Sequence, residues 1–348
     1  FDAALDEEQQ MKEGKYKKAE KYYDSIFEGV ETESLPLPDR NDEIPERGYL
    51  SKEMDTRESV VLSACEKLGV TPNILFTGLF GVLMTRYSNS EDSLFATIYN
   101  GRNDSRLEST VCMLVKTLPV YCSCDPKATI QTYMAELSEQ LLSSMANDIF
   151  PFSDICAKYG FSSDLVFAYQ AELSDDYPIG DTIARGHDLS PDMSKMPLLI
   201  QVREYDHKYV LTAEYRSDKY SEEFVKGILD AYEAAMDSML KAKYISEISI
   251  LSGNVADKIA EFNHTAHEYD RSQTISDMFD EMVEIIPDHT AVVFKDRKYT
   301  YKELDEISDR LGKYIVSQGI GTEDVVSILI PRCEYMAIAP MGVIKAGA

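Results

Sequence analysis

The sequence predicts a two-domain protein of mixed α/β architecture, and three observations lead to this prediction. A length of 348 residues exceeds one ordinary domain, and a hydrophobic fraction of 44% is ample for buried cores. Between residues 58 and 247, predicted strands and helices mix without strict alternation, which indicates an α+β or mixed-sheet α/β layer. Beyond residue 272, helices and strands alternate, as they do around a parallel sheet.

The first 55 residues are highly charged and contain one predicted helix, from Lys15 to Phe27. The sequence LPLPDRNDEIPERG follows this helix, and its prolines indicate a connector without regular structure. This part of the chain is therefore expected to lead into the first domain.

Two helices are predicted next, the first from about Glu58 to Leu68 with Gly69 as its stop. Thr71 caps the second helix, and Pro72 occupies its first turn. The sequence of this second helix, NILFTGLFGVLMTRY, is apolar on nearly all sides, which predicts that the helix is buried.

Five strands are predicted between residues 93 and 216. Most of these segments are rich in β-branched and aromatic residues, and they read SLFATIY, LVKTLPVYCSC, DLVFAYQ, PLLIQVREY and KYVLTAEYR. An amphipathic helix from about Ala128 to Ala146 separates the second strand from the third, and a helix from about Ser221 to Lys241 closes the region. Residues 175–195 are expected to be an irregular acidic stretch.

Residues 251–272 are polar and have no clear apolar period, which predicts a linker. After this linker we expect a helix, a strand (TAVVFKD), a strand leading into a helix (KYTYKELDEISDRLGKYIVSQGI), a strand (DVVSILI) and a helix (MAIAPMGVIKAGA). Gly347 is the expected cap of the last helix. A parallel sheet needs more strands than these to cover its faces, so we expect the last domain to be unfinished.

The charge balance argues against two classes of partner. With 61 acidic and 35 basic residues, the net charge is −26, and such a surface repels phosphate backbones and anionic lipid. No apolar run reaches the length of a membrane span, and no signal-peptide pattern opens the chain. The six cysteines form no CxxC pair, which favours reduced thiols. We therefore expect a cytoplasmic protein that binds neither nucleic acid nor membrane.

A search for catalytic motifs finds no self-contained active site. A GxSxG elbow and a GxxxxGK[ST] loop are absent, and Gly319 and Gly321 lack the third glycine of a dinucleotide fingerprint. His187 stands beside an aspartate, but adjacent side chains in an extended loop diverge, so an exposed histidine is expected. Cys122 and Cys124 are only two potential ligands without a nearby histidine, so partly buried thiols are expected rather than a metal site.

Residues 101–121, GRNDSRLESTVCMLVKTLPVY, resemble the second-half motif of condensation domains in nonribosomal peptide synthetases, which runs approximately GR…E…vGxFvNTlPlR. Matches continue in order on both sides, because KAEKYYDSIFEG, LPLPDR, DIFPFSDICAKYG and LVFAYQ resemble further segments of the same family. The resemblance implies an acetyltransferase-like mixed-sheet lobe. The residues that it marks as candidates along the substrate tunnel are Gly101, Arg102, Lys116, Thr117 and Gln170.

Residues 299–348 resemble the opening of a synthetase adenylation domain, with a TYxEL match at residues 300–304 and the first letters of KAGxaYvP at residues 345–347. FNHTAHEYD, at residues 262–270, is similar to the junction between condensation and adenylation domains. The adenylation-motif matches are Thr300, Tyr301, Glu303, Leu304, Lys345 and Gly347.

The resemblance implies a C-terminal condensation lobe at 1–247 (with 1–55 as lead-in and connector), a linker at 248–272, and the incomplete N-terminal part of an AMP-forming adenylation fold at 273–348. The family's catalytic HHxxxDG motif belongs to its first lobe, and no HH pair occurs here. We therefore expect the chain to begin after that motif, to be inactive alone, and to bind no cofactor or metal itself. The parent protein is expected to use ATP, Mg and phosphopantetheine carried on carrier domains.

Three positions depart from the family motif, because Cys112 stands in place of glycine, Lys116 in place of asparagine and Tyr121 in place of arginine. In the family this segment lies near the tunnel to the catalytic histidine, where Lys116 would put a long cation in place of a short amide. A solvated lysine at the end of a strand is the alternative for Lys116. Arg102 is expected to pair with an acidic group, either locally or across the tunnel.

Two functions stay open from the sequence. The favoured one is a fragment of a peptide synthetase that joins carrier-tethered acyl or peptidyl groups to aminoacyl amines. Its expected partners are the missing N-terminal condensation lobe, peptidyl carrier domains and the rest of the adenylation domain. The alternative is a non-catalytic, condensation-like module that recruits a carrier protein or partner enzyme. A stand-alone AMP-forming ligase is not favoured, because the nucleotide-binding segments are absent from the sequence.

Overall fold

The structure is a computed structural model, and it divides into two compact units, residues 1–261 and residues 262–348. The residues that it describes are 2–30, 34–102, 105–107, 110–162, 164–171, 176–185 and 194–348.

The helices of the described residues are α1 Asp2–Lys12, α2 Lys15–Phe27, α3 Glu58–Leu68, α4 Pro72–Ser88, α5 Ile130–Ala146, α6 Phe152–Tyr159, α7 Glu222–Met239, α8 Gly253–Phe262, α9 Ile275–Ile285, α10 Tyr301–Ser317 and α11 Tyr335–Lys345. The strands are β1 Arg47–Glu53, β2 Asp92–Tyr99, β3 Lys116–Ser123, β4 Leu165–Gln170, β5 Asp176–Ile179, β6 Thr182–Arg185, β7 Leu198–Tyr205, β8 Lys208–Arg216, β9 Thr290–Phe294 and β10 Arg297–Thr300.

A six-stranded mixed sheet, in the order β1-β8-β7-β4-β2-β3, forms the centre of the first unit. The pairs β2–β4 and β4–β7 are parallel, and the other neighbours are antiparallel. Strands β2 and β4 share only the pairs Ala96–Val166 and Thr97–Phe167, whereas β4 pairs with β7 along its whole length. The predicted mixed-sheet fold class is confirmed, and the two parallel strands β2 and β4 separate beyond their short contact.

Helix α4 lies at the centre of the core, as predicted from its apolar sequence. The ring of Phe80 is fully buried and lies 4.9 Å from the ring of Phe95 in β2 and 4.8 Å from that of Phe167 in β4. The predicted start of the helix is also present, because the Thr71 side chain accepts a hydrogen bond from the backbone N–H of Ile74. These contacts fix α4 across one face of the sheet.

Residues 175–195 were expected to be irregular, but part of this stretch forms the antiparallel hairpin β5–β6. Gly180 takes a left-handed conformation at φ 61 between the two strands. A Gly–Asp turn between short strands is a hairpin signal. It was not recognised, because the residues on either side of this turn do not show the apolar alternation expected of strands. Residues 186–193, including His187, lie outside the described part of the chain.

The predicted linker contains helix α8, so the expectation that residues 251–272 have no apolar period was wrong for the part that forms this helix. The helix carries Val255, Ile259 and Phe262 at helical spacing, and these side chains are 41%, 41% and 74% exposed. These three apolar side chains stand among polar residues and bury little surface, so the helical period was not recognised in the sequence. Strand β1 was also missed, because it is a polar edge strand that pairs only with β8.

In the second unit, β9 and β10 pair antiparallel, and residues 324–330 form no strand, contrary to the prediction for DVVSILI. Val325 and Leu329 are 93% and 98% exposed. A strand needs a neighbouring strand to pair its backbone groups, and the described residues of this unit provide none beside residues 324–330.

Within the described residues, no single helix is long and apolar enough to cross a membrane. Helices α3 and α4 meet the criterion only together, as a pair bent by 89°, and α4 is buried in the core of the first unit.

We expect limited proteolysis to cut the second unit before the first. The buried cluster of the second unit consists of Phe279, Leu304 and Ile338, whereas the main cluster of the first unit extends over its whole sheet. Cleavage follows local unfolding, which is easier where few apolar contacts oppose it. A trypsin time course read by mass spectrometry should lose residues 273–348 first and retain residues 58–245. Earlier loss of residues 58–245 would contradict this expectation.

Candidate functional site

Gly101 reverses the chain after β2 with a left-handed backbone at φ 65. A Cβ atom at this position would lie 1.9 Å from the backbone oxygen of Leu114. A side-chain rotation cannot relieve an overlap with backbone, so this approach of the two chain segments requires glycine. The turn therefore has a physical cause that is independent of any family pattern.

Arg102 holds the segment that follows the turn. Its guanidinium donates to the backbone oxygens of Leu107, Thr110 (3.0 Å) and Cys112 (3.4 Å). A planar fork of five N–H donors can gather several carbonyl groups in this way. Among the described residues these contacts go to backbone oxygens, and Glu108, the acidic residue of the matched motif, lies outside them.

Lys116 is the first residue of β3 and lies opposite Tyr99 of β2. Its Nζ lies 3.2 Å from Oδ1 of Asp148 and 3.5 Å from Oε1 of Glu7, and its side chain is 34% exposed. The cation that replaces the family asparagine is thus ion-paired on two sides. We call Lys116, Glu7 and Asp148 the Lys116 cluster.

Burial, and after it the negative charge of Glu7, raises the pKa of Asp148 from 3.8 to about 6. The ammonium of Lys116 acts in the opposite direction, but it is shared with Glu7 and partly solvated, so burial prevails.

This shift predicts a pH dependence of stability. A carboxyl whose pKa is raised by folding binds its proton more tightly in the folded state, so it favours folding at low pH. This contribution is lost as the pH rises from about 4 to about 6. The free energy of unfolding of the wild type and of Asp148→Asn should be measured at pH 4 and at pH 7. Relative to the variant, the wild type should be about 1–2 kcal/mol more stable at pH 4 than it is at pH 7. A pH-independent difference would contradict the assignment.

The remaining candidates of the first unit lie at the same edge of the sheet. Thr117 pairs with Ile98 of β2, and Gln170 is the last residue of β4, opposite Arg203 of β7. Because β2 and β4 are parallel and β3 runs antiparallel to β2, the ends of β2 and β4 meet the start of β3 at one edge. Gln170 also lines a pocket of about 180 Å³ together with Tyr49, Ser51, Ala171, Arg203, Glu204, Tyr205, Val210 and Thr212.

The structure thus brings Gly101, Arg102, Lys116 and Thr117 together, and it places Gln170 across the gap between β2 and β4. Sequence reasoning missed Glu7 and Asp148, and Asp148 is separated from Lys116 by 32 positions. It stands in the quoted DIFPF segment, but nothing in the sequence indicates which strand it faces.

The described residues assemble no catalytic base with a nucleophile at this edge. His207 is exposed, with Nδ1 2.9 Å from Oε2 of Glu58. Cys122 and Cys124 are buried thiols, and burial raises the pKa of Cys122 to about 12. No group of three or more His, Cys, Asp or Glu side chains in the described part of the chain could hold a metal ion. Gly101 and Arg102 therefore shape the turn at this edge and hold the motif segment.

In the second unit, the TYxEL match forms the start of α10. Thr300 Oγ1 accepts a hydrogen bond from the backbone N–H of Glu303 (3.1 Å), and Glu303 Oε2 accepts one from the N–H of Thr300 (2.9 Å), which makes a capping box. Leu304 is buried against Phe279, and the ring of Tyr301 lies 6.0 Å from that of Phe279. These matched residues build the helix and its core contact.

The KAG match ends α11. Lys345 is 9% exposed, and its Nζ donates to Asp309 (2.7 Å) and to Asp305 of α10. Burial opposes its charge, but the hydrogen bonds to the two carboxylates outweigh burial and raise its pKa. Gly347 follows in the left-handed conformation expected of a helix-ending glycine, at φ 79.

Comparisons with known sequences agree with this arrangement. Residues 3–260 match the family described as Condensation domain, and residues 279–348 match the family described as AMP-binding enzyme. Gramicidin S synthase 2 of Brevibacillus brevis is 27% identical over 290 residues, which cover 80% of this chain and 6% of that protein. Surfactin synthase subunit 1 of Bacillus subtilis (strain 168) is 25% identical over 367 residues, which cover 100% of this chain and 10% of that protein. The chain spans a tenth or less of the length of these relatives.

Solved structures show the same fold. A holo four-domain nonribosomal peptide synthetase bound to AMP and glycine matches with a TM-score of 0.65 and 17% identity, over 93% of this chain and 27% of that one. The X-domain in complex with OxyB from teicoplanin biosynthesis matches with a TM-score of 0.61 and 15% identity, over 72% of this chain and 60% of that one. The first condensation domain of the calcium-dependent antibiotic synthetase, in complex with a substrate analogue, matches with a TM-score of 0.59 and 14% identity. This match covers 71% of this chain and 56% of that one.

The condensation-domain match covers most of the chain, and the AMP-binding match follows it directly. The chain therefore belongs to the condensation-domain family and continues into the start of an adenylation domain, as nonribosomal peptide synthetases do.

Proposed function

We propose that this chain is part of a peptide synthetase module that joins a carrier-tethered acyl or peptidyl group to an aminoacyl amine. In this reaction the amine attacks the thioester carbonyl, a C–N bond forms, and the C–S bond breaks. The amine loses a proton and the carrier thiol leaves with one. The observation that carries the proposal is the sheet edge at residues 101–117, where a glycine-dependent turn and an arginine fix a motif segment of the family.

We propose that this edge supplies wall and orientation, and that it does not supply the base. Holding two carrier arms at fixed positions can contribute much of the rate of a bimolecular step. The chain has no HH pair, so histidine chemistry of the HHxxxDG type would come from another part of the protein. The exposed apolar side chains Val111, Met113 and Val115, which are 101%, 86% and 52% exposed, support a surface that faces another domain.

The proposed domain limits are 1–247 for the condensation lobe, 248–272 for the connection and 273–348 for the adenylation part. The proposed partners are the N-terminal condensation lobe, carrier domains and the remainder of the adenylation domain. The whole protein would use ATP, Mg and the phosphopantetheine that its carrier domains bear. In the second unit, the buried Lys345 is held by Asp305 and Asp309, so its ammonium is not free to bind a phosphate group.

The protein expressed from the complete reading frame that encodes this chain provides the test. With loaded donor and acceptor carriers, it should form an amide on the acceptor carrier, detected by mass spectrometry. Residues 1–348 alone should give no amide and no ATP–pyrophosphate exchange. Either activity in a homogeneous preparation of residues 1–348 would contradict the proposal that this part of the protein needs other domains for catalysis.

A recruiting module is the second candidate, and Lys116 is the observation that favours it. A paired cation stands where the family motif has a short amide, and the fold also matches an X-domain that was solved in complex with OxyB. If the complete protein forms no amide but binds a carrier protein or partner enzyme in titration calorimetry, recruitment replaces condensation as the function.

A further inference from the structure

Helix α1 is attached to the first unit with little apolar burial. Leu5 and Met11 are 48% and 42% exposed, and no described side chain of α1 belongs to the buried clusters. The next helix, α2, differs, because it buries Ala19, Tyr23 and Phe27. A helix of 11 residues is marginal on its own in water, so other contacts must hold α1 in place.

Two ion pairs among the described residues link α1 to the motif segment. Asp6 Oδ2 lies 2.7 Å from the guanidinium of Arg106, and Glu7 Oε1 lies 3.5 Å from Nζ of Lys116. Lys116 in turn reaches Asp148, which precedes α6 and whose side chain is 19% exposed. The ammonium of Lys116 therefore joins α1, β3 and the start of α6 at one point.

We propose that Lys116 is a positioning residue that fastens helix α1 to the motif strand β3 through Glu7 and Asp148. The long side chain spans both carboxylates, and an asparagine at this position would be too short and uncharged to do so. The substitution of the family asparagine is then neither a catalytic recruitment nor a solvated strand end. It is an ionic attachment of the N-terminal helix.

The attachment has a defined charge environment. Lys116 from β3 and Glu7 from α1 face Asp148, and the hydroxyl of Tyr23 from α2 is a further titratable group near it among the described residues. The pair with Glu7 is half-exposed, so salt should weaken it. The fastening should therefore loosen as ionic strength rises.

Hydrogen exchange of residues 2–12 in the full chain tests this proposal without reference to activity. Lys116→Met should speed exchange of α1 by about two- to fivefold at low salt, whereas Lys116→Arg should restore wild-type exchange. Lys127→Met is the matched control, because it removes an exposed lysine beyond the opposite end of β3 and should leave α1 unchanged. Raising the salt concentration from 50 to 500 mM should speed exchange in the wild type more than in Lys116→Met, with the pair of Asp6 and Arg106 accounting for the remainder.

A double-mutant cycle separates the pair from other effects. Glu7→Gln combined with Lys116→Met should speed exchange no more than Lys116→Met does alone, since both changes break the same contact. The proposal is overturned if α1 exchanges at the same rate in Lys116→Met as in Lys127→Met. It is also overturned if the effects of Glu7→Gln and Lys116→Met on exchange are fully additive. Because the readout is local exchange, failure of this proposal leaves the proposed condensation function untouched.

Discussion

Replacing Gly101 with alanine is expected to destabilise the connection between β2 and β3 by about 2–5 kcal/mol. A left-handed backbone costs a non-glycine residue about 1–2 kcal/mol, and the Cβ would also overlap the backbone oxygen of Leu114. Relief of that overlap requires a backbone shift, which adds about 1–3 kcal/mol. Native-state hydrogen exchange of residues 92–123 measures the change.

Gly160 provides the matched control for this prediction. It has the left-handed backbone at φ 72 after α6, but a Cβ there would meet no atom within 4 Å. Gly160→Ala should therefore cost only the penalty of the left-handed backbone, about 1–2 kcal/mol. Equal losses in the two variants would show that the approach to Leu114 does not matter.

Replacing Lys345 with methionine is expected to weaken the contact between α10 and α11 by about 1–3 kcal/mol. The variant leaves Asp305 and Asp309 facing each other without their shared cation, and removal of one partner of a buried ion pair is strongly destabilising. We place the value below that of a fully buried pair, because the two carboxylates are 29% and 43% exposed. Hydrogen exchange in α10 and α11 should accelerate.

Lys313 offers the control for the second unit. It lies 3.9 Å from Asp309 and is 82% exposed, so Lys313→Met should change stability by less than about 0.5 kcal/mol. If both lysine variants lose the same stability, burial of Lys345 is not the reason for its effect.

Local signals of the sequence were sufficient for much of the fold. Gly69 ends α3 at φ 72, and Thr71 with Pro72 starts α4, as the capping and turn preferences of these residues predict. The apolar sequence of α4 also indicated correctly that this helix is central. These features depend on residues that are close together in the sequence, so they can be predicted from the sequence alone.

Features that depend on distant pairing could not be predicted in the same way. The polar strand β1 becomes visible only through its pairing with β8, and the apolar DVVSILI segment lacks the neighbour that a strand requires. The candidate site shows the same division. Gly101 was identifiable as a turn, whereas the contact of Lys116 with Asp148 and Glu7 joins three separate elements.

We propose that the turn and segment at residues 101–117 are part of a condensing site, and the rate of amide formation tests this proposal most directly. In the protein expressed from the complete reading frame, supplied with loaded carriers, Gly101→Ala should lower the rate by at least about tenfold, because small displacements of orienting groups cost large factors. The rate of Gly160→Ala should stay within about twofold of the wild type. The alanine strains the backbone only at position 160, which lies outside residues 101–117. Unchanged amide formation in Gly101→Ala, or an equal loss in both variants, would contradict the account.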